Sequence, residues 1–279
     1  MTTVISERSL SETLARTLTG QWDELLRLRL CVLEEPQRDT IHDLRVTSRR
    51  VRTVIGTLVP LLGEAKVRRL QKPIRGITSE LGAVRNLDEA RHFLLELRDD
   101  GLAPLVKALD RRRQRELRRS RRLLRELPYK RLDRRLAKAG AQLMAPHQPD
   151  GLIGWLSHQN QTLYRPIRRL LRLERLAALP AERHRLRIAI KKWRYFAELL
   201  ALLCGEPHSA LVERLKDYQT LLGDLNDREL FLAMLQKATA IKPDTRLQAE
   251  EIVNSQHRRL TAQFQALLLR QPLTYQCLL

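Results

Sequence analysis

At 279 residues with 43% hydrophobic side chains, the chain is long enough to bury one large core or two modest ones without covalent staples. Its three cysteines, Cys31, Cys204 and Cys277, are odd in number, far apart and without CxxC or Cys/His ligand spacing, which argues against a disulfide framework or a zinc site and points to a reducing cytoplasm. The 52 Lys and Arg against 32 Asp and Glu give a formal charge of +20, which costs stability through self-repulsion unless a polyanion offsets it, the candidates being nucleic acid, anionic lipid or polyphosphate; aromatics at 4% argue against base-stacking recognition of single strands.

Along the chain, Leu, Arg, Ala and Glu recur at helical spacing, Gly is scarce and no alternating β-branched runs appear. The fold class predicted is all-α, with roughly ten to twelve helices joined by short connections. Breaks are predicted at Glu35-Pro36, Pro60 to Gly63, Gly82, Gly101 to Pro104, Pro128, Pro146 to Gly151, Pro180, Gly205 to Pro207, Gly223 and Pro243. The first residues, MTTVISERSLSETLARTL, hold early acids in place of an apolar run and do not read as a secretory signal. Arg or Glu interrupts every leucine-rich stretch, so no membrane span and no membrane partner are expected.

The first informative helix begins at His42. At 100° per residue, His42, Arg45, Arg49 and Arg52 form one stripe, while Leu44, Val51, Ile55 and Leu58 fall on the opposite face; Arg50 flanks the stripe. Further on, Leu81-Gly82-Ala83-Val84-Arg85-Asn86-Leu87-Asp88-Glu89 reads as a helix end and a new start, with Gly82 at the C-terminal position and Asn86 with Glu89 at capping-box spacing. Asp88 is expected in the first turn after it, or orienting a basic side chain. Arg75, a little upstream, is a secondary candidate for ligand contact. Arg111, Arg115, Arg118, Arg122 and Arg125 then line one face of a helix opposite Leu109, Leu117, Leu124 and Leu127, either as a solvated face or as an extension of the positive field. Arg165, Arg168, Arg172 and Arg175 form a shorter row.

The pattern then repeats. The segment HDLRVTSRRVR at 42–52 aligns without gaps on HRLRIAIKKWR at 184–194, and about forty residues after each comes Leu-Gly with an Asn and acids, the second time as Leu222-Gly223-Asp224-Leu225-Asn226-Asp227-Arg228-Glu229. His184, Arg187, Lys191 and Arg194 make the second stripe, opposite Leu186, Trp193, Ala197 and Leu200, with Lys192 at its flank. Gly223, Asn226 and Glu229 invite the same capping reading, Asp227 is expected, like Asp88, in a first helical turn or orienting a basic side chain, and Lys216 stands as far before Gly223 as Arg75 does before Gly82. Two homologous halves are therefore expected, 1–143 and 144–279, joined near 144–152.

Each stripe offers a line of positive charge that suits an extended phosphate chain better than a compact metabolite, with Arg forking across oxygens and Lys acting as a point charge. His42 and His184 admit a structural role, a phosphate-facing role in which an anion favours the charged ring, or metal ligation; the last is disfavoured because no second ligand stands at i+3 or i+4 on the same face. No cofactor and no metal are expected.

The two motifs in this order resemble the CHAD domain, the conserved histidine α-helical domain, over nearly the whole chain, so that 1–279 reads as one CHAD-like domain. The resemblance implies two pseudosymmetric helical bundles whose basic helices face a central groove or pore, and binding of inorganic polyphosphate with association to cytoplasmic polyphosphate granules. His42, Arg45, Arg49, Arg50 and Arg52, with His184, Arg187, Lys191, Lys192 and Arg194, match the family's basic motif. Asn86 departs from the Asp often found after Arg in the first Leu-Gly motif, and no triphosphate-tunnel neighbour domain is present to lend catalysis. A non-enzymatic polyphosphate binder is the leading expectation. The alternatives are a phosphatase or phosphotransferase with His42 or His184 as phosphoacceptor, for which no P-loop or acidic metal cluster is found, and a non-specific nucleic-acid binder, for which no helix-turn-helix, RNP or zinc-finger signature is found.

Overall fold

The computed structural model describes residues 6–145, 151–174, 176–204, 209–239 and 241–275. Among them are ten α-helices, two short 3-10 segments and no strand, as the helical periodicity predicts. In chain order the α-helices are α1 (Glu7–Glu34), α2 (Arg38–Gly56), α3 (Val59–Leu62), α4 (Glu64–Glu96), α5 (Ala103–Glu126), α6 (Tyr129–Leu143), α7 (Leu152–Leu171), α8 (Pro180–Cys204), α9 (Ser209–Gln236) and α10 (Pro243–Arg270).

Local chemistry explains the starts. Ser6 caps α1, its Oγ accepting from Ser9 N at 3.1 Å, a contact of the kind that stabilises a helix by about 1 kcal/mol. Pro104 and Pro243 stand in the first turns of α5 and α10, where a missing N–H costs nothing. The turn into α4 passes through Gly63 at φ 77°, a conformation that side chains with a Cβ rarely adopt.

The helix faces fall as the spacing predicts. On α2, Leu44, Val51 and Ile55, and Leu58 just beyond it, are buried, as are Leu186, Trp193, Ala197 and Leu200 on α8 and Leu109, Leu117, Leu124 and Leu127 along and after α5. Trp193 is fully enclosed, and its Nε1 donates to Asn160 Oδ1 at 2.8 Å, so burial leaves no bare polar group there.

The order of packing is α1 on α2, α2 on α4 and α4 on α5; α6 then returns along α1. The later helices pack in a parallel order, α7 on α8, α8 on α9 and α9 on α10. Besides the contacts of α1 with α7 and α8, two junctions join the sets: α2 meets α8 within the main core, and α4 meets α9. The second junction holds a smaller core, where Phe93 stacks on Phe231 at 4.8 Å and the Arg228 guanidinium lies over both rings. Between the two junctions is a polar cavity.

Some predicted breaks are absent. Gly82 lies inside α4 and Gly223 inside α9, so neither ends a helix, and the capping boxes at Asn86/Glu89 and Asn226/Glu229 do not form. A glycine in a helix costs only about 1 kcal/mol. Buried leucines and valines on both sides, Leu81 and Val84, Leu222 and Leu225, outweigh that cost. Conversely, α4 runs through Pro73 and α7 through Pro166. The predicted breaks at Gly205 to Pro207, and all of Pro146 to Gly151 except Gly151 itself, lie outside the described residues, as do Arg175 and Cys277.

Candidate polyanion-binding cavity

The two basic stripes converge. A cavity of about 510 Å³ between α2, α4, α8 and α9 is lined by His42, Arg45 and Arg49 from α2 and by His184, Arg187 and Lys191 from α8. Six of the ten residues singled out by the duplicated motif therefore meet in one place. Arg85 of α4 joins them, and Asp224 and Asp227 of α9 supply the only carboxylates of the lining. Five Lys and Arg side chains thus face two acids.

The cations are held by backbone and by one another's neighbours. Arg45 Nη1 donates to the Leu81 carbonyl at 2.9 Å, and the absence of a side chain at Gly82 makes the approach possible: a Cβ there would stand 3.3 Å from the same nitrogen. Arg49 Nη1 donates to Tyr195 Oη at 3.3 Å, linking α2 to α8. Arg85 Nη1 meets Asp227 Oδ2 at 3.3 Å across the α4–α9 junction. Asp88, buried on α4, pairs with Arg113, so both acids of the Leu-Gly motifs do orient basic side chains. His184 Nδ1 lies 3.1 Å from Asn226 Oδ1, while Asn226 Nδ2 donates to Asp227. That chain assigns the proton to Nδ1 and leaves Nε2 uncommitted among the described residues.

Crowding shows in the titration of the site. Burial, then Arg49, Arg187, Arg45 and Arg85, pushes Lys191 down to about 7. Burial likewise lowers Arg45 and Arg187, with Arg49 and Arg85 adding to it and Asp227 opposing it at Arg187. A guanidinium keeps its proton in proteins, so for these two the shift registers as repulsion that a bound anion relieves. Burial also lowers His42, against the pull of Asp43. Asp224 is raised, again by burial. Most telling, Arg187 Nε is buried without a hydrogen-bond partner, an arrangement that costs about 1–3 kcal/mol until an acceptor arrives.

The remaining motif residues lie elsewhere. Arg52 and Lys192 line an adjoining cavity of about 380 Å³, which shares Arg49 and Lys191 with the first, so these two cations stand between both spaces. Arg52 Nε is also buried without a partner. Arg194 is buried and committed: it pairs with Glu198, donates to Gln219 Oε1 at 2.8 Å and lies over the Tyr195 ring. Arg50 stands 3.7 Å from the same Glu198, and with Lys216, which pairs with Glu213, it lines a third cavity. Arg75 is exposed and close enough to Arg52 to repel it. Arg111, Arg115, Arg118, Arg122 and Arg125 run exposed along α5, with Arg122 paired to Glu126. Arg168 and Arg172 are exposed at the mouth of an apolar cavity of about 670 Å³.

The sequence model of the CHAD domain matches residues 16–236. The chain belongs to the CHAD domain family. The domain is also similar in fold to the CHAD domain from the plant Ricinus communis, with a TM-score of 0.71 and 23% identity over 95% of this chain and 93% of that one. A second similar structure, PptA from Streptomyces chartreusis, gives 0.62 and 18% identity over 93% and 99%. No curated protein sequence matches. Both histidines at the heads of the duplicated motifs of this CHAD domain line the same cavity, one from each helix set. Among the described residues no helix is long and apolar enough to cross a membrane, and no three His, Cys, Asp or Glu cluster to hold a metal ion.

The residue that sequence reasoning missed is Arg85. No basic residue stands three or four positions from it on α4, and Asn226 occupies its place in the Leu-Gly motif of α9, so neither a stripe nor the repeat signals it.

Proposed function

We propose that this CHAD domain binds inorganic polyphosphate, acting by binding without turnover. The observation that carries the reading is the convergence of two basic helices on one cavity in which a buried guanidinium N–H of Arg187 has no acceptor. Phosphate oxygens supply several acceptors at close spacing, which suits forked Arg donors. A chain of phosphates occupies the central cavity and continues past Arg49 and Lys191 into the adjoining one toward Arg52 and Lys192, in keeping with a role at polyphosphate granules. The exposed Arg row on α5 extends the field that steers the polymer in.

A cavity of about 510 Å³ is of small-molecule size, so duplex nucleic acid meets only its rim. Competition at physiological salt tests the assignment. Long polyphosphate is expected to bind far more tightly than triphosphate, because many phosphates are engaged at once, and to resist displacement by duplex DNA at equal phosphate concentration. Equal affinity for triphosphate and polymer, or ready displacement by DNA, contradicts it.

A further inference from the structure

Lys191 differs from the exposed lysines of the chain. It lines both the central and the adjoining cavity, so it is open from two sides while half-buried. Arg45 and Arg49 face it from α2, Arg85 from α4 and Arg187 from its own helix, with His42, His184 and Tyr195 completing the surround and Asp224 and Asp227 on the α9 wall. No carboxylate or carbonyl of the described residues accepts a hydrogen bond from its amine. An amine crowded by cations and stripped of partners is the arrangement that converts lysine from a point charge into a nucleophile.

We propose that Lys191 is an acyl-acceptor site for acyl phosphates, mixed anhydrides that enter the cavity through their phosphate group. The inference rests on the reading of the cavity as a phosphate site. The donor's phosphate sits among Arg45, Arg49 and Arg187, which places its carbonyl carbon beside the amine. The Lys191 Nζ lone pair attacks that carbon, the C–O bond to phosphate breaks, and phosphate leaves with the bonding electrons. The amine then gives up a proton to the departing phosphate or to water, leaving an amide and inorganic phosphate. The guanidinium groups stabilise the charge that develops on the carbonyl oxygen and on the leaving group. Burial, reinforced by Arg49, Arg187, Arg45 and Arg85, pushes the Lys191 amine down to about 7, so at neutral pH a substantial share of it is uncharged, against a negligible share for an ordinary lysine. The resulting amide removes a cation from the wall between the two cavities and fills space there, so the modified chain binds polyphosphate less well.

The test uses the purified full chain, acetyl phosphate as donor and time-resolved peptide mapping by mass spectrometry. Lys192 is the internal control, next in sequence, exposed and lining only the adjoining cavity. Lys191 is expected to acetylate roughly tenfold faster than Lys192 or more, and only its rate should fall when tripolyphosphate is added. In a Lys191→Arg variant the fast acetylation phase should disappear while Lys192 is labelled at its wild-type rate. Equal rates at Lys191 and Lys192, or a Lys191 rate that tripolyphosphate leaves untouched, overturns the inference. Polyphosphate binding is measured on the same samples: intact binding with uniform labelling removes the acylation site alone, and absent binding removes the phosphate reading with it.

Discussion

Arg187 brings a full charge into the cavity and keeps one buried donor unmet, so in the free protein it stores an unfavourable interaction that ligand relieves. Replacing it with Gln removes both the charge and the fork, and the expected loss of polyphosphate affinity is roughly ten- to a hundredfold, from about 1.5–3 kcal/mol for a hydrogen bond to a charged group, with little change in Tm. Isothermal titration with parallel melting curves separates the two effects. Lys191 gives the site a pH dependence whose sign follows from its depressed pKa. Near pH 6 the amine is already charged, and above 7 it must take up a proton when phosphate binds. Affinity should therefore fall as pH rises from 7 toward 9, by up to about tenfold per unit for one coupled group, with proton uptake detectable as a buffer-dependent binding heat; a flat profile contradicts the coupling. In the free protein the same shift means that the unfolded chain binds the extra proton between 7 and the ordinary lysine range, so the penalty this group imposes on folding is full below 7 and shrinks as pH rises through that window. Arg85 was invisible at the sequence level because its importance comes from where α4 crosses α9, a tertiary fact that periodicity along one helix does not carry.

At the scale of elements, α2 and α8 were legible: the apolar face of each is buried, and every residue of the two basic stripes except Arg194 lines the central or the adjoining cavity. The exception is informative. Arg52 keeps to the adjoining cavity, but Arg194 is drawn aside by Glu198 four residues on, a pair that the stripe drawn from cations alone overlooks. The Leu-Gly segments were misread as caps because glycine followed by Asn and Glu three residues on has the same pattern in a helix end and in a helix that needs room. Gly82 and Gly223 separate these needs. Gly223→Ala meets open space and should stabilise α9 by about 0.5–1 kcal/mol in a thermal melt. Gly82→Ala presses a methyl against the Arg45 guanidinium, so it should cost polyphosphate affinity while gaining less stability. If the two substitutions behave alike, the close approach of Arg45 has no functional weight. On the opposite face of α8, Trp193→Ala empties a fully buried site and removes the indole N–H that donates to Asn160, and a loss of about 3–5 kcal/mol in denaturant melts is expected.

For the molecule as a whole, the charge of +20 and the fold belong together. The positive side chains are distributed between exposed rows, where water screens them, and one cavity where little screening is available. The all-α class and the family were legible because an ordered pair of motifs recurs in one chain; the packing that turns two stripes into one cavity was expected from the family resemblance and not from the residues. Binding to the folded state alone should raise Tm in proportion to the logarithm of polyphosphate concentration, and added salt should erase the gain. The most direct test is binding of long-chain polyphosphate across a salt series to the wild-type chain and to a variant carrying Arg45→Gln, Arg49→Gln, Arg187→Gln and Lys191→Gln. The account predicts that the variant remains helical, loses most of its affinity and gives a salt slope shallower by about three to four. Unchanged affinity and slope would mean that the converging helices are structural and that the polyanion binds along the exposed Arg rows.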